Sequence, residues 1–249
     1  MARNFAFLHG GGQGSWVWDE VTDALRRQAA PDEVKVLALD VPGCGVKRGR
    51  NTEGMSIPEV VAELVGDIER AGLKDVVLAG HSMAGLVLPG MARARPDLFR
   101  HVAYVSCSIP AAGQSGPELM GEGLHGESDD CMGWPVDRAT TPYPDFIRAM
   151  FCNDMDEAKI EPFLALLGKD WWPTACWGEY RPGAYDNPPV VPSTFVVLLQ
   201  DQSLTAPWQL RFAERLGIKD LVKIDAGHQV MQTRPHALAE VLLALAGAA

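Results

Sequence analysis

Basic residues are scarce in this chain. Twenty-two Lys and Arg stand against thirty-two Asp and Glu, a formal net charge of -10 with histidine neutral. That balance argues against a nucleic-acid partner and reads as ordinary solubility. Long apolar runs are also missing, although 47% of the 249 residues are hydrophobic. No run approaches the roughly 20 residues of a membrane span, so no membrane partner is expected. The start, Met1-Ala2-Arg3-Asn4, passes straight into a strand-like stretch without a signal-peptide pattern, and the expected location is cytoplasmic. Cysteines are few and scattered: Cys44, Cys107, Cys131, Cys152 and Cys176. Their odd number and the lack of C-x-x-C spacing point to neither a disulfide framework nor a metal site. They read as buried thiols, with the question open whether Cys107, at the end of a strand-like run, lines a site. Internal repeats and low-complexity tracts are absent.

What is present is a rhythm. Short apolar runs at Phe5–Leu8, Val34–Leu39, Asp75–Ala79, His101–Cys107, Thr194–Leu199 and Leu221–Ile224 read as strands. Helical stretches at Trp16–Gln28, Pro58–Ala71, Met83–Arg95, Pro207–Leu216 and Pro235–Ala246 fall between or after them. Continuous apolar strands alternating with helices predict an α/β fold with a mostly parallel sheet of about six strands, covered on both faces.

Residues 108–192 break the rhythm. The stretch is rich in Pro, Gly, Trp and Tyr and carries four of the seven tryptophans, Trp134, Trp171, Trp172 and Trp177. Short helices are expected at Asp145–Met150 and Asp156–Leu167. This segment reads as a cap inserted into a core made of residues 1–107 and 193–249. Trp134, Trp171 and Trp172 are candidate pocket residues, as are Gly10 and His81. Packing of the cap onto the core would explain the tryptophans equally well.

Val76-Val77-Leu78-Ala79-Gly80-His81-Ser82-Met83-Ala84-Gly85 has the local grammar of a nucleophile elbow: strand, sharp turn bearing a serine, helix. Ala84 stands where a second glycine is usual. Taken alone, Ser82 could be a helix N-cap. A serine nucleophile, however, needs a base, an acid to orient that base, and an oxyanion hole. Loops at the carboxyl ends of parallel strands gather at one edge of the sheet. Asp201 follows one such strand, His228 follows another, and the order Ser82, Asp201, His228 suits the elbow. Asp225 is a rival acid, but it lies only three residues before His228. The loop His9-Gly10-Gly11-Gly12-Gln13-Gly14 follows the first strand. It would place the Gly11 amide beside that of Met83 as an oxyanion hole. It carries no Walker lysine and no G-x-G-x-x-G, so no phosphate-bearing cofactor is expected. His9 and His81 read as loop-holding residues.

With these pieces in place the chain resembles the α/β-hydrolase superfamily. Within it, the chain looks like the plant methylesterases and hydroxynitrile lyases with their small bacterial esterase relatives. The resemblance rests on Phe7-Leu8-His9-Gly10-Gly11, Gly14-Ser15-Trp16-Val17-Trp18, Leu39-Asp40-Val41-Pro42-Gly43, Ala79-Gly80-His81-Ser82-Met83, Gln200-Asp201-Gln202 with Trp208-Gln209, and Gly227-His228. It implies the α/β-hydrolase fold and a Ser82–His228–Asp201 serine esterase without cofactor. The substrate would be a small, apolar or aromatic carboxylic ester or carbamate. Lyases of that group carry a hydroxyl residue after the first His and a lysine after the second. Gly10 and Gln229 stand there, which disfavours cyanide release or other carbon–carbon cleavage. A non-catalytic small-ligand binder is the remaining alternative. The expected partner is a small-molecule substrate, with a homodimer left open.

Overall fold

The structure, a computed structural model, describes residues 3–247. Among these, six strands form one sheet: β1 (Arg3–Leu8), β2 (Val34–Leu39), β3 (Val76–Ser82), β4 (Phe99–Cys107), β5 (Ser193–Leu198) and β6 (Asp220–Ile224). All neighbours pair in parallel in the order β2-β1-β3-β4-β5-β6. This matches the six-strand parallel expectation. Side chains alternate across a strand, so each strand feeds two cores. Phe5, Phe7, Val77 and Ala79 face one layer with Val196 and Leu198. Ala6, Leu8, Leu78, Val102 and Phe195 face the other.

Helices α1 (Asp19–Ala29) and α10 (Pro235–Gly247) cover the first face, where Trp18 stacks on Phe7 with ring centroids 4.7 Å apart. Helices α2 (Ile57–Arg70), α3 (Leu88–Ala94) and α8 (Ala206–Arg215) cover the second. The start of α2 is locally encoded. Ser56 and Glu59 form a reciprocal capping box, and Pro58 sits in the first turn where its missing N–H costs nothing.

Between β4 and β5 lie four short helices: α4 (Gly116–Met120), α5 (Tyr143–Phe151), α6 (Glu157–Leu166) and α7 (Thr174–Gly178). Helices α5 and α6 fall where the sequence placed them. The short helices α4, α7 and α9 (Val230–Thr233) were not foreseen. One of them left a signal, since Ser115 and Glu118 form a capping box at the start of α4. The segment has its own small core of Cys152, Met155, Ile160 and Phe163, which packs against Trp16.

One element departs from expectation. The helix foreseen over Met83–Arg95 is a 3₁₀ turn, Met83–Leu86, a break at Val87, and only then α3. Pro89 explains the break: it is tolerated in the first turn of α3 and would disrupt a helix running through it. Strand β3 also runs three residues further than expected, to Ser82.

Candidate active site

Ser82 ends β3 with φ 55° and ψ -117°. A non-glycine residue in this region costs about 1–3 kcal/mol and persists only where its surroundings enforce it. Here the close return of the following turn enforces it. A Cβ on Gly80 would lie 2.7 Å from the Ala84 Cβ, and one on Gly85 would lie 2.3 Å from the Ser108 carbonyl oxygen. The backbone therefore needs glycine at 80 and 85. Ala84 fits because its methyl occupies the space that Gly80 leaves.

The strained turn presents the Ser82 hydroxyl to His228. Asp201 Oδ2 lies 2.7 Å from His228 Nδ1, and His228 Nε2 lies 3.1 Å from Ser82 Oγ. A carboxylate only accepts, so Nδ1 carries the imidazole proton and Nε2 accepts from the serine hydroxyl. Asp225 takes no part. It accepts from Gln200 Nε2 at 3.0 Å instead.

Asp201 is almost fully buried and fully satisfied. Oδ1 accepts from the amides of Ser203 (2.7 Å) and Leu204 (2.8 Å), and Oδ2 from His228 and from the Ser106 hydroxyl (2.7 Å). Ser106 escaped the sequence reading, although it lies one residue from the end of β4. Gln209 carried part of the resemblance, but its role did not show in the sequence. Its buried side chain accepts from the Leu198 amide and donates to the Leu198 and Leu204 carbonyls, which pins the Asp201 loop at both ends.

His9 and His81 support the loops. The Val41 amide donates to His9 Nε2 at 3.2 Å, so the ring proton sits on Nδ1, which donates to the Gly10 carbonyl at 2.8 Å. His81 Nε2 donates to the His228 carbonyl at 2.9 Å. Burial lowers the pKa of His9, and burial followed by the neighbouring His228 charge lowers that of His81 well below the usual range. Both rings are neutral at pH 7.

Ser82 and His228 open onto a cavity of about 720 Å³. Of the candidate pocket residues Trp134, Trp171 and Trp172 line it, with Gly11 and Met83 of the candidate oxyanion hole and with Phe146, Met150, Phe151 and Trp177. Among the described residues, no Asp, Glu, Lys or Arg lines it. Gly10 and His81, the other candidate pocket residues, are not among the residues that line it. The Gly10 carbonyl is taken by His9 and by the Trp172 indole (3.1 Å), and the fully buried His81 ring packs against the His228 ring, with centroids 4.4 Å apart. Cys107 does not line the cavity either. Its thiol donates to the Gly80 carbonyl at 3.1 Å, and burial pushes its pKa up. Trp172 is buried while Trp171 is 65% exposed, so Trp171 sits at the rim. Gln229 is fully buried and accepts from Gln13 Nε2 at 3.1 Å, which ties the His228 loop to the first glycine loop.

The Gly11 and Met83 amides have no hydrogen-bond acceptor among the described residues. Also among the described residues, no cluster of His, Cys, Asp and Glu is arranged to hold a metal ion, and no helix is long and apolar enough to cross a membrane.

A parallel sheet with a strained serine at the end of its third strand, and acid and base loops beyond its fifth and sixth, defines a class. The chain belongs to the alpha/beta hydrolase family, which it matches over residues 5–241. It is similar to a carbendazim hydrolyzing esterase of Nocardioides sp. (strain SG-4G), 27% identical over 97% of this chain and 99% of that one. Among solved structures it is similar to a pyrethroid hydrolase from Sphingobium faniae JZ-2. That likeness has a TM-score of 0.76 and 19% identity, over 100% of this chain and 98% of that one. A methylesterase from Arabidopsis is likewise similar, with a TM-score of 0.74 and 19% identity over 98% and 99% of the two chains.

Proposed function

We propose that this protein is a serine esterase that cleaves an uncharged, bulky apolar or aromatic carboxylic ester, or the corresponding carbamate, through an acyl-enzyme. The observation that carries the reading is the Ser82–His228–Asp201 hydrogen-bonded chain opening onto a cavity with no charged lining. The esterase and hydrolase names among its relatives support the same class of reaction.

In this mechanism His228 Nε2 takes the Ser82 proton as Oγ bonds to the acyl carbon. Asp201 holds the tautomer and stabilises the imidazolium that forms. The carbonyl oxygen gains negative charge and meets the free amides of Gly11 and Met83, a contribution of about 3 kcal/mol per donor. The carbon–oxygen bond to the alcohol then breaks, and the alcohol leaves with the proton from His228. Water enters and gives a proton to His228 while its oxygen bonds to the acyl carbon. The acid departs as Ser82 regains its proton. A carbamate follows the same steps, with carbamoyl in place of acyl.

Segment 108–192 acts as the cap in this reading, supplying the aromatic wall. The cavity volume suits a drug-sized molecule rather than the small ester expected from the sequence. The neutral lining disfavours charged esters, since an ion moved into it finds no partner. It also leaves the carboxylate product without a cation to hold it. Hydroxynitrile lyase chemistry is disfavoured, because Gln229 is turned into the loop contact with Gln13 and no lysine replaces it.

The test is a panel of aryl esters matched in size, neutral against cationic and anionic. Neutral members should be cleaved at least tenfold better in kcat/KM, with turnover lost in Ser82→Ala. Equal turnover of charged members would overturn the specificity, and turnover surviving in Ser82→Ala would overturn the mechanism. Mandelonitrile should release no cyanide.

A further inference from the structure

The Gly10 carbonyl receives two N–H donors, His9 Nδ1 at 2.8 Å and the Trp172 indole Nε1 at 3.1 Å. The two rings meet edge to face, with centroids 6.0 Å apart. His9 belongs to the core loop. Trp172 comes from the far end of the segment between β4 and β5, 162 residues away in sequence. A second bond from the same stretch holds the next turn of the loop, where the Gly168 amide donates to the Gly12 carbonyl at 2.7 Å.

The peptide joining Gly10 to Gly11 is planar and trans, so its N–H points opposite to its C=O. Anchoring the Gly10 oxygen from behind therefore aims the Gly11 N–H forward. Forward is the cavity: Gly11 lines it, and a Cβ on Gly10 would lie 2.9 Å from the Ser82 Cβ. Two donors on one carbonyl also polarise the amide and strengthen its own N–H as a donor.

The stretch that brings Trp172 is fixed at its other side. Asp170, fully buried, accepts from Arg48 Nε (2.7 Å) and Nη2 (2.9 Å) and from the Gly45 amide (2.9 Å). The indole is thus held to the loop after β2 as well as to the loop after β1.

We infer that Trp172 is a positioning residue for the oxyanion hole: the cap contributes not only the substrate wall but also the hydrogen bond that sets the Gly11 amide. This inference rests on the serine-esterase reading above. It makes the hole complete only when residues 168–172 are seated on the first loop. Substrate size and oxyanion stabilisation are then governed by the same segment.

The test is Trp172→Phe, which keeps a ring in the wall and removes the N–H. An interaction realised only as charge develops lowers kcat and kcat/KM together and leaves KM alone. Expected is a fall in kcat of roughly tenfold, against the 10²–10³-fold that loss of a whole oxyanion donor costs. KM should stay within about twofold. Affinity for an aryl trifluoromethyl ketone, which forms the tetrahedral adduct, should fall by the same factor as kcat. Affinity for the matching unreactive methyl ketone should hold. A rise in KM with unchanged kcat, or unchanged ketone affinity, would reduce Trp172 to a wall residue and overturn the inference. A second measurement needs no variant. In the ¹⁵N-labelled wild type, binding the trifluoromethyl ketone should shift both the Gly11 amide and the Trp172 indole N–H, and an unmoved indole overturns the proposal. Failure of the wild type to cleave any ester defeats the parent reading. Wild-type turnover that is lost in Ser82→Ala but intact in Trp172→Phe defeats this inference alone.

Discussion

A single methyl group at residue 80 tests why the elbow tolerates alanine at position 84. In Gly80→Ala the new Cβ would stand 2.7 Å from the Ala84 Cβ and 2.8 Å from Leu88 Cδ1. Carbon atoms pack at about 3.5–4.0 Å, so each contact is short by about 1 Å. Leu88 can turn its side chain aside. Ala84 cannot, because its Cβ is fixed to the backbone of the 3₁₀ turn, so the turn must move. Overpacking of this kind costs about 1–3 kcal/mol, worth about 2–4 °C in Tm per kcal/mol at this chain length. The displaced turn carries the Met83 amide, so kcat should fall by more than the loss of stability explains, towards the 10²-fold that a displacement of ~1 Å can cost. Ala84→Gly alone should cost about 0.5–1 kcal/mol through backbone entropy. The exchange Gly80→Ala with Ala84→Gly removes the clash that creates the loss, and the double variant should recover most of it. Urea unfolding and aryl-ester turnover of all four proteins measure the coupling. Strictly additive losses would refute the reasoning, since distant, independent sites add and clashing neighbours do not.

Two further outcomes are expected. Ser106→Ala removes one of the four donors on the buried Asp201 carboxylate and should lower stability by about 1.5–3 kcal/mol, with kcat reduced less than tenfold because His228, Ser203 and Leu204 still hold the acid; an unchanged urea midpoint would sink this. The buried histidines His9 and His81 titrate below their unfolded value, because burial disfavours the charged ring. The unfolded chain takes up protons first as pH falls through about 6.5. Stability present above that pH is therefore lost as pH falls toward the lowered folded values, by up to about 1.4 kcal/mol per pH unit for each ring. The slope of the urea midpoint between pH 7 and 5 should be shallower in His81→Asn, and a wild type with no slope there would refute the assignment.

Much of the core was legible because its signals are local. Six apolar runs became six strands, and Ser82, Asp201 and His228 each stand at or just beyond a strand's carboxyl end, where topology converges them. The unreadable parts depend on packing between distant segments. Ser106 meets Asp201 only because β4 and β5 are neighbours, and the Trp172 indole reaches Gly10 only through the fold of residues 108–192. His81 stands next to Ser82 in sequence but is fully buried against the His228 ring and carbonyl, a contact that only the meeting of β3 with the His228 loop creates. The elbow helix was misread because Pro89 moves the helix start to Leu88. Helices α4 and α7, between β4 and β5, have five residues each, too short for periodicity to show against the Pro and Gly content around them.

The central claim is that Ser82 is a nucleophile activated by His228. Intact-mass spectrometry after treatment with an aryl fluorophosphonate tests it most directly, with the modified peptide sequenced. The account requires one adduct per chain on Ser82, formed at least 10³-fold more slowly in His228→Ala and absent in Ser82→Ala. An adduct on another residue, or labelling of Ser82 at the same rate without His228, would contradict it.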